Sequence, residues 1–114
     1  MAKPIPNDAA DPLVCPVPRR LKQARLKRNL SQRNLGIAAG IDEASASARM
    51  NQYERGKHVP DYATLRRLAV ALDAPVPYFY ANDDEAELLL NMASLSNEQQ
   101  DLVRGLVKRI NFNP

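Results

Sequence analysis

The sequence has few of the residues on which enzymes and secreted proteins depend. It contains one cysteine, Cys15, and one histidine, His58, so it can form no internal disulfide and offers no clustered metal ligands. It also lacks a glycine-rich phosphate loop. We therefore expect no catalysis, no cofactor and no metal, and a reduced, cytoplasmic setting is the simplest expectation.

Aromatic residues and long apolar runs are also scarce. Aromatic residues make up 5% of the 114 residues, and no stretch alternates apolar and polar residues with period two. No segment approaches the roughly 20 apolar residues that a membrane span needs, and residues 1–18 lack the apolar run of a signal peptide. We therefore expect an all-α fold without a membrane partner.

The charge is divided unevenly along the chain. Residues 1–60 hold 11 Lys and Arg against 5 Asp and Glu, a net charge of +6, whereas residues 61–114 have a net charge of −3. The basic half is therefore the place to look for a bound polyanion. Within it, the proline-rich residues 1–18 are predicted to form a flexible arm.

Apolar spacing and capping residues predict the helices. They are expected over residues 19–28, 32–39, 42–53, 62–72, 84–93 and 97–110, with a short helical turn over residues 75–80. Ser31, Asp42 and Ser96 are the expected N-caps, and Gly40 suits the end of the second helix. On the first helix, Leu26 is one of the residues considered for the inward face.

The third predicted helix has little apolar surface to bury. Met50 and Tyr53 are its only large apolar side chains, and the remainder is mostly Ala, Ser, Asn, Gln and Arg. Such a helix cannot be held by burial alone, because most helical stability in globular proteins comes from packing an apolar face. Its polar face is therefore expected to contact something other than the core.

Two stretches, LSQRNLGIAAGI (residues 30–41) and RMNQYERGKHVPDYATLRRLAVAL (residues 49–72), resemble a known family. They are similar to the helix-turn-helix domain of the phage lambda-repressor and Cro type, often called the XRE family. The resemblance covers about residues 19–80. It implies a five-helix DNA-binding domain over residues 19–82, whose third helix lies in the major groove of double-stranded DNA.

The resemblance also assigns site residues. Counted backwards from Gly56, the family's base-reading positions fall on Ser47, Ala48, Asn51 and Gln52. Phosphate contacts are expected from Ser31, Gln32, Arg33, Arg49, Arg55, Lys57 and His58, although each basic residue could equally be a solvated surface charge. Relatives further pair the positions of Arg25 and Glu54 in a largely buried salt bridge.

The sequence departs from the family between Gly40 and Gly56. The interval is sixteen residues where twelve is common, so four extra residues lie near residues 42–45. They could lengthen the third helix by one turn, bringing Asp42 and Glu43 near the DNA phosphates, where they would be repelled unless they accept from cytosine N4. Alternatively, the insertion widens the turn and the helix starts at Ser45 or Ser47.

Residues 83–114 form a predicted C-terminal dimerisation segment. Its apolar stripes comprise Leu88, Leu89, Met92, Leu102, Leu106 and Ile110. A homodimer would cover them, although the two helices could also fold back on their own domain. We expect a dimeric transcriptional repressor, and the competing hypothesis is an antitoxin-like or adaptor protein that acts mainly through a protein partner.

Overall fold

The computed structural model describes residues 13–112, and these residues form α-helices joined by short turns. The helices are α1 Val17–Lys27, α2 Gln32–Ala38, α3 Glu43–Glu54, α4 Tyr62–Leu72, α5 Asp83–Ala93 and α6 Asn97–Phe112, with a 3₁₀ helix, Val76–Tyr80, between α4 and α5. Residues 13–112 contain no strand, and the prediction of an all-α fold is confirmed. Most of the predicted arm, residues 1–12, lies outside the described residues.

Helix starts follow the expected caps at two places and differ at a third. Ser31 Oγ accepts from the Asn34 amide at 2.9 Å, and Ser96 Oγ accepts from the Gln99 amide at 3.1 Å. Asp42 is the N-cap residue of α3, as expected, but its side chain makes no capping hydrogen bond. The main-chain carbonyl of Asp42 accepts a hydrogen bond from the Ser45 amide at 2.9 Å.

The first helix begins two residues earlier than predicted. Pro18 lies in the first turn of α1. Backbone amides in the first turn have no acceptor within the helix, so the lack of an N–H group in proline breaks no helical hydrogen bond there. Val17 is buried, so the core begins inside the segment predicted as the arm. By contrast, Leu26 is 54% exposed, and its assignment to the inward face is wrong because it lies off the buried stripe of α1.

The core lies between α1, α2, α3 and α4 and is closed by the 3₁₀ helix. Its fully buried large side chains are Val17, Leu21, Leu35, Met50, Leu65, Leu68 and Phe79. Phe79 packs edge to face on Tyr78 with ring centroids 5.0 Å apart. Met50 of α3 is part of this core. The buried face of α3 therefore holds the helix in place.

A buried arginine joins α1 to the start of α5. The Arg20 guanidinium donates to the Ala81 carbonyl and to Asp83 Oδ1, both at 2.8 Å, and it lies over the Tyr78 ring at 5.8 Å. The hydrogen bond that Arg20 donates to Asp83 lowers the pKa of the Asp83 carboxyl below its ordinary value. Arg20 follows the apolar spacing of α1, so a strictly periodic search of the sequence would have placed it on the buried face.

The last two helices differ in how they are attached. Ala86 of α5 is buried, and Leu89 and Leu90 pack half-buried against the core, so much of the apolar surface of α5 is covered by its own domain. No residue of α6 is buried. The corner between the helices is held by Gln100, whose side-chain amide donates to the Met92 carbonyl at 2.9 Å.

Candidate nucleic-acid interface

Helices α2 and α3 meet at an unusually close contact. A Cβ atom on Gly36 would lie 2.8 Å from the Ala46 Cβ, a separation that real side chains do not show, so only glycine permits this approach. The turn between the helices uses Gly40 at φ +85°. Arg67 of α4 donates to the Ala39 carbonyl at 2.9 Å, which ties the turn to α4. The two helices are therefore rigidly placed relative to each other.

The outer face of α3 carries the four residues predicted to read bases. Ser47, Ala48 and Asn51 are exposed and Gln52 is half-buried, whereas Ala46, Met50 and Tyr53 are buried on the opposite face. Helical geometry sets residues one turn apart on the same side, so the four predicted positions form one continuous strip. The strip offers a hydroxyl, a methyl group and two amides and has no bulky apolar side chain.

The four extra residues lengthen the helix. α3 begins at Glu43, and the turn from Gly40 to Asp42 is short. Of the two alternatives left open by the sequence, the longer helix is the one observed. Its first turn carries Glu43, which forms an ion pair with Arg33 of α2, so the predicted phosphate ligand Arg33 is engaged by a carboxylate.

A buried ion pair fixes the other end of α3. Arg25 Nε lies 2.6 Å from Glu54 Oε2 and Arg25 Nη2 lies 3.0 Å from Glu54 Oε1, with side chains only 11% and 4% exposed. Arg25 also donates to the Leu30 carbonyl at 2.9 Å. The hydrogen bonds that Arg25 donates to the Glu54 carboxylate raise the pKa of its guanidinium above the ordinary value. The pair connects α1 to α3 across the domain.

Gln32, at the start of α2, faces this ion pair. Its side-chain amide donates to Glu54 Oε1 at 3.2 Å and approaches Asn51 Oδ1 at 3.4 Å. It thus connects the buried pair to the exposed strip. Ser31, which precedes it, uses its hydroxyl oxygen to cap α2. Both residues predicted to hold phosphate therefore already have roles inside the protein.

The remaining basic residues surround the C-terminal half of α3. Arg49 lies over the Tyr53 ring at 5.8 Å and donates to the Tyr53 hydroxyl at 2.8 Å. Arg55, Lys57 and His58 are exposed at the end of α3 and in the loop that follows it. These basic residues lie beside the polar strip and at its C-terminal end, where side chains that contact phosphate would be needed.

The fold and the strip together define a helix-turn-helix module, in which the second helix of the motif presents polar side chains. The profile of a family described as "Helix-turn-helix domain" matches residues 19–77, just over half of the chain. The chain belongs to this helix-turn-helix family, and it therefore carries a DNA-binding domain.

The known proteins to which the chain is similar include two transcriptional regulators. The crystal structure of the transcriptional regulator BswR matches the fold with a TM-score of 0.74, over 82% of this chain and 93% of that one. The two sequences are 44% identical. An uncharacterized HTH-type transcriptional regulator, YqaE of Bacillus subtilis (strain 168), is 32% identical over 78 residues. That match spans 62% of this chain and 64% of YqaE, which is less than two thirds of the relative's length.

Two other features are absent from residues 13–112. This part of the chain contains no group of three or more His, Cys, Asp and Glu residues placed to hold a metal ion. None of its helices combines the length and the apolar character needed to cross a membrane.

Proposed function

We propose that the protein is a dimeric, sequence-specific regulator of transcription that represses by occupying DNA at a promoter. One observation carries the proposal: α3 buries one face in the core and leaves the opposite face polar, exposed and free of bulky apolar groups. The B-DNA major groove is about 12 Å wide and admits one such helix. The similarity to transcriptional regulators supports the same assignment.

Sequence would be read from the exposed strip. Asn51 and Gln52 can each donate and accept with one side chain, which matches the N6 and N7 atoms of adenine, and the Ala48 methyl can contact a thymine methyl. The Ser47 hydroxyl, at the start of the strip, can donate to an acceptor or accept from a donor on a base edge. The contact between Asn51 and Gln32 would keep the Asn51 amide oriented before DNA arrives.

Affinity would come from residues around the strip. Arg49 lies beside it, Arg55, Lys57 and His58 follow its C-terminal end, and Ser31 and Gln32 at the start of α2 would add neutral hydrogen bonds to phosphate. Contacts from the Arg and Lys residues release counterions from DNA and make binding depend steeply on salt. Arg33 differs from these residues because its guanidinium is already paired with Glu43.

Assembly would use the face of α6 that its own domain leaves open. Leu102, Leu106 and Ile110 are 70%, 56% and 65% exposed and lie at helical spacing, and Leu88 of α5 is 62% exposed. A second copy can cover this face isologously. A twofold dimer would then offer two α3 helices to half-sites about 34 Å apart, one turn of DNA.

Selection from a random DNA pool by the full chain tests the proposal. We expect an enriched sequence with two inverted half-sites, and light scattering of the same preparation should give the mass of a dimer. Enrichment without any preferred sequence would contradict sequence-specific regulation. A monomeric protein that selects no sequence would favour the alternative, an antitoxin-like or adaptor protein whose α6 face binds a different protein.

A further inference from the structure

The extra first turn of α3 is held against α2 at two points. Ala46 packs on Gly36 with no space for a Cβ atom, and Glu43 pairs with Arg33. The Ile41 amide also donates to the Gly36 carbonyl at 2.9 Å, which ties the turn before α3 to the same glycine. The backbone that carries Glu43 is therefore held against α2, and the Arg33–Glu43 pair lies at the N-terminal end of the helix proposed to enter the groove.

Few carboxylates lie in the segment that forms α1 to α3. Among residues 13–60 the only acidic residues are Asp42, Glu43 and Glu54, and Glu54 is buried against Arg25. The two exposed carboxylates of this segment thus lie at the N-terminal end of α3, where phosphates would repel them. Their position is unfavourable for general DNA affinity, which depends on cations.

Stability does not explain the pair. The side chains of Arg33 and Glu43 are 51% and 69% exposed, and ion pairs this open to solvent contribute little to folding. What the pair does fix is the direction of a guanidinium. Arg33 uses Nη2 toward Glu43, and a guanidinium has five N–H donors in a planar fork, so donors remain for a second partner.

We propose that Arg33 reads a guanine at one position of each half-site and that Glu43 is the residue that positions it. Paired donors of arginine match the O6 and N7 acceptors of guanine, which is the commonest specific contact of a side chain in the major groove. The hydrogen bond to Glu43 Oε1 directs the guanidinium toward the N-terminal end of α3. The inference rests on the proposed DNA-binding function and reassigns Arg33 from phosphate contact to base readout.

The test is selection from a random DNA pool by full-length wild type, Arg33→Ala and Glu43→Gln. Wild type should require guanine at a position that both variants lose, with a fall of roughly tenfold or more in preference there for Arg33→Ala and a smaller fall for Glu43→Gln. All other selected positions should stay the same. Binding titrations on the site selected by wild type, and on the same site with that guanine replaced, then give the ratio of the two affinities for each variant.

Matched variants separate base readout from general charge effects. Glu85→Gln removes an exposed first-turn carboxylate from α5, and Arg28→Ala breaks an exposed ion pair with Asp73. Neither should alter the selected sequence. Melting curves and helix content should be the same for Arg33→Ala and Glu43→Gln as for wild type, because both residues are exposed.

Three results would overturn the inference. An unchanged motif with a uniform rise in affinity for Glu43→Gln would show that the carboxylate only repels phosphate. A uniform loss with a shallower salt dependence for Arg33→Ala would return Arg33 to the phosphate contacts. A base preference lost in Glu43→Gln and kept in Arg33→Ala would make the carboxylate itself the reader. If wild type selects no sequence, the proposed function fails instead.

Discussion

Helices α3 and α6 both leave one face exposed, but the two faces differ in chemistry and in support. The exposed face of α3 is polar and small, and its helix is fixed by Met50 in the core and by the Arg25–Glu54 pair. The exposed face of α6 is apolar, and none of that helix's residues is buried. A polar face is stable in water as it stands, whereas an apolar stripe gains free energy when a partner covers it.

The comparison indicates that the two helices should respond oppositely to substitution. Changes to the support of α3 should alter folding, and changes to its exposed face should alter DNA readout alone. Changes to the exposed face of α6 should alter assembly and leave the fold of the domain intact.

The largest effect is expected from the buried pair behind α3. Arg25→Ala would leave the Glu54 carboxylate buried without its partner, at a cost of about 3 to 5 kcal/mol in the free energy of unfolding. Denaturant titration of Arg25→Ala and Glu54→Ala should give losses of this size. Arg28→Ala, which breaks the exposed pair with Asp73, should cost about 1 kcal/mol or less. Equal losses for Arg25→Ala and Arg28→Ala would contradict a supporting role for the buried pair.

The next effect concerns the apolar face of α6. Introducing Leu102→Asp and Leu106→Asp together should convert a dimer to a monomer and lower affinity for the two-half-site DNA at least about 100-fold, because linked binding is lost. Helix content should stay close to that of wild type. Val70→Asp, at a 77% exposed position on α4, provides the control and should leave the mass unchanged. A double variant that remains dimeric would place the interface elsewhere.

Base readout should give a smaller and more selective effect. Gln52→Ala is expected to weaken binding to the selected sequence by about 1 to 3 kcal/mol, with little change on random DNA, because it deletes contacts to a base edge. Competition titrations on both kinds of DNA measure the difference. Equal losses on the two would show that Gln52 does not read sequence.

Phosphate contact should be visible in the salt dependence. Arg49→Ala should weaken binding to all sequences and reduce the slope of log affinity against log salt by about one. Arg66 provides a close control, since it lies over Tyr62 at 5.9 Å as Arg49 lies over Tyr53, but on α4. A slope that Arg49→Ala and Arg66→Ala leave equally unchanged would remove Arg49 from the DNA contacts.

The smallest effect is a dependence of stability on pH. The hydrogen bond from Arg20 lowers the pKa of Asp83, so the stabilisation is complete above the ordinary Asp value of about 3.9 and is lost as pH falls through the lower folded value. Asp83→Asn should therefore be less stable at neutral pH and show a shallower loss in acid. Asp84→Asn, at an exposed neighbour, should keep the wild-type profile. Denaturant titrations between about pH 3 and pH 7 measure both.

The sequence alone determined the class of fold and the order of its helices. Apolar residues at helical spacing, with Ser31 and Ser96 as caps, located each helix to within a few residues, because these signals are local. The same spacing separated Met50 and Tyr53 from the polar residues of α3, and the resemblance to the helix-turn-helix family, counted back from Gly56, assigned the four residues of the exposed strip.

Tertiary structure decided what depends on contacts between distant residues. The run of helix formers favours the longer α3, but its start at Glu43 and the close approach of Ala46 to Gly36 are seen only in the packed domain. The engagement of Arg33 by Glu43 required the positions of two helices, as did the burial of Arg20 against Ala81. Charged side chains are long and flexible, so their partners are set by the packing of the helices and not by their spacing in the sequence.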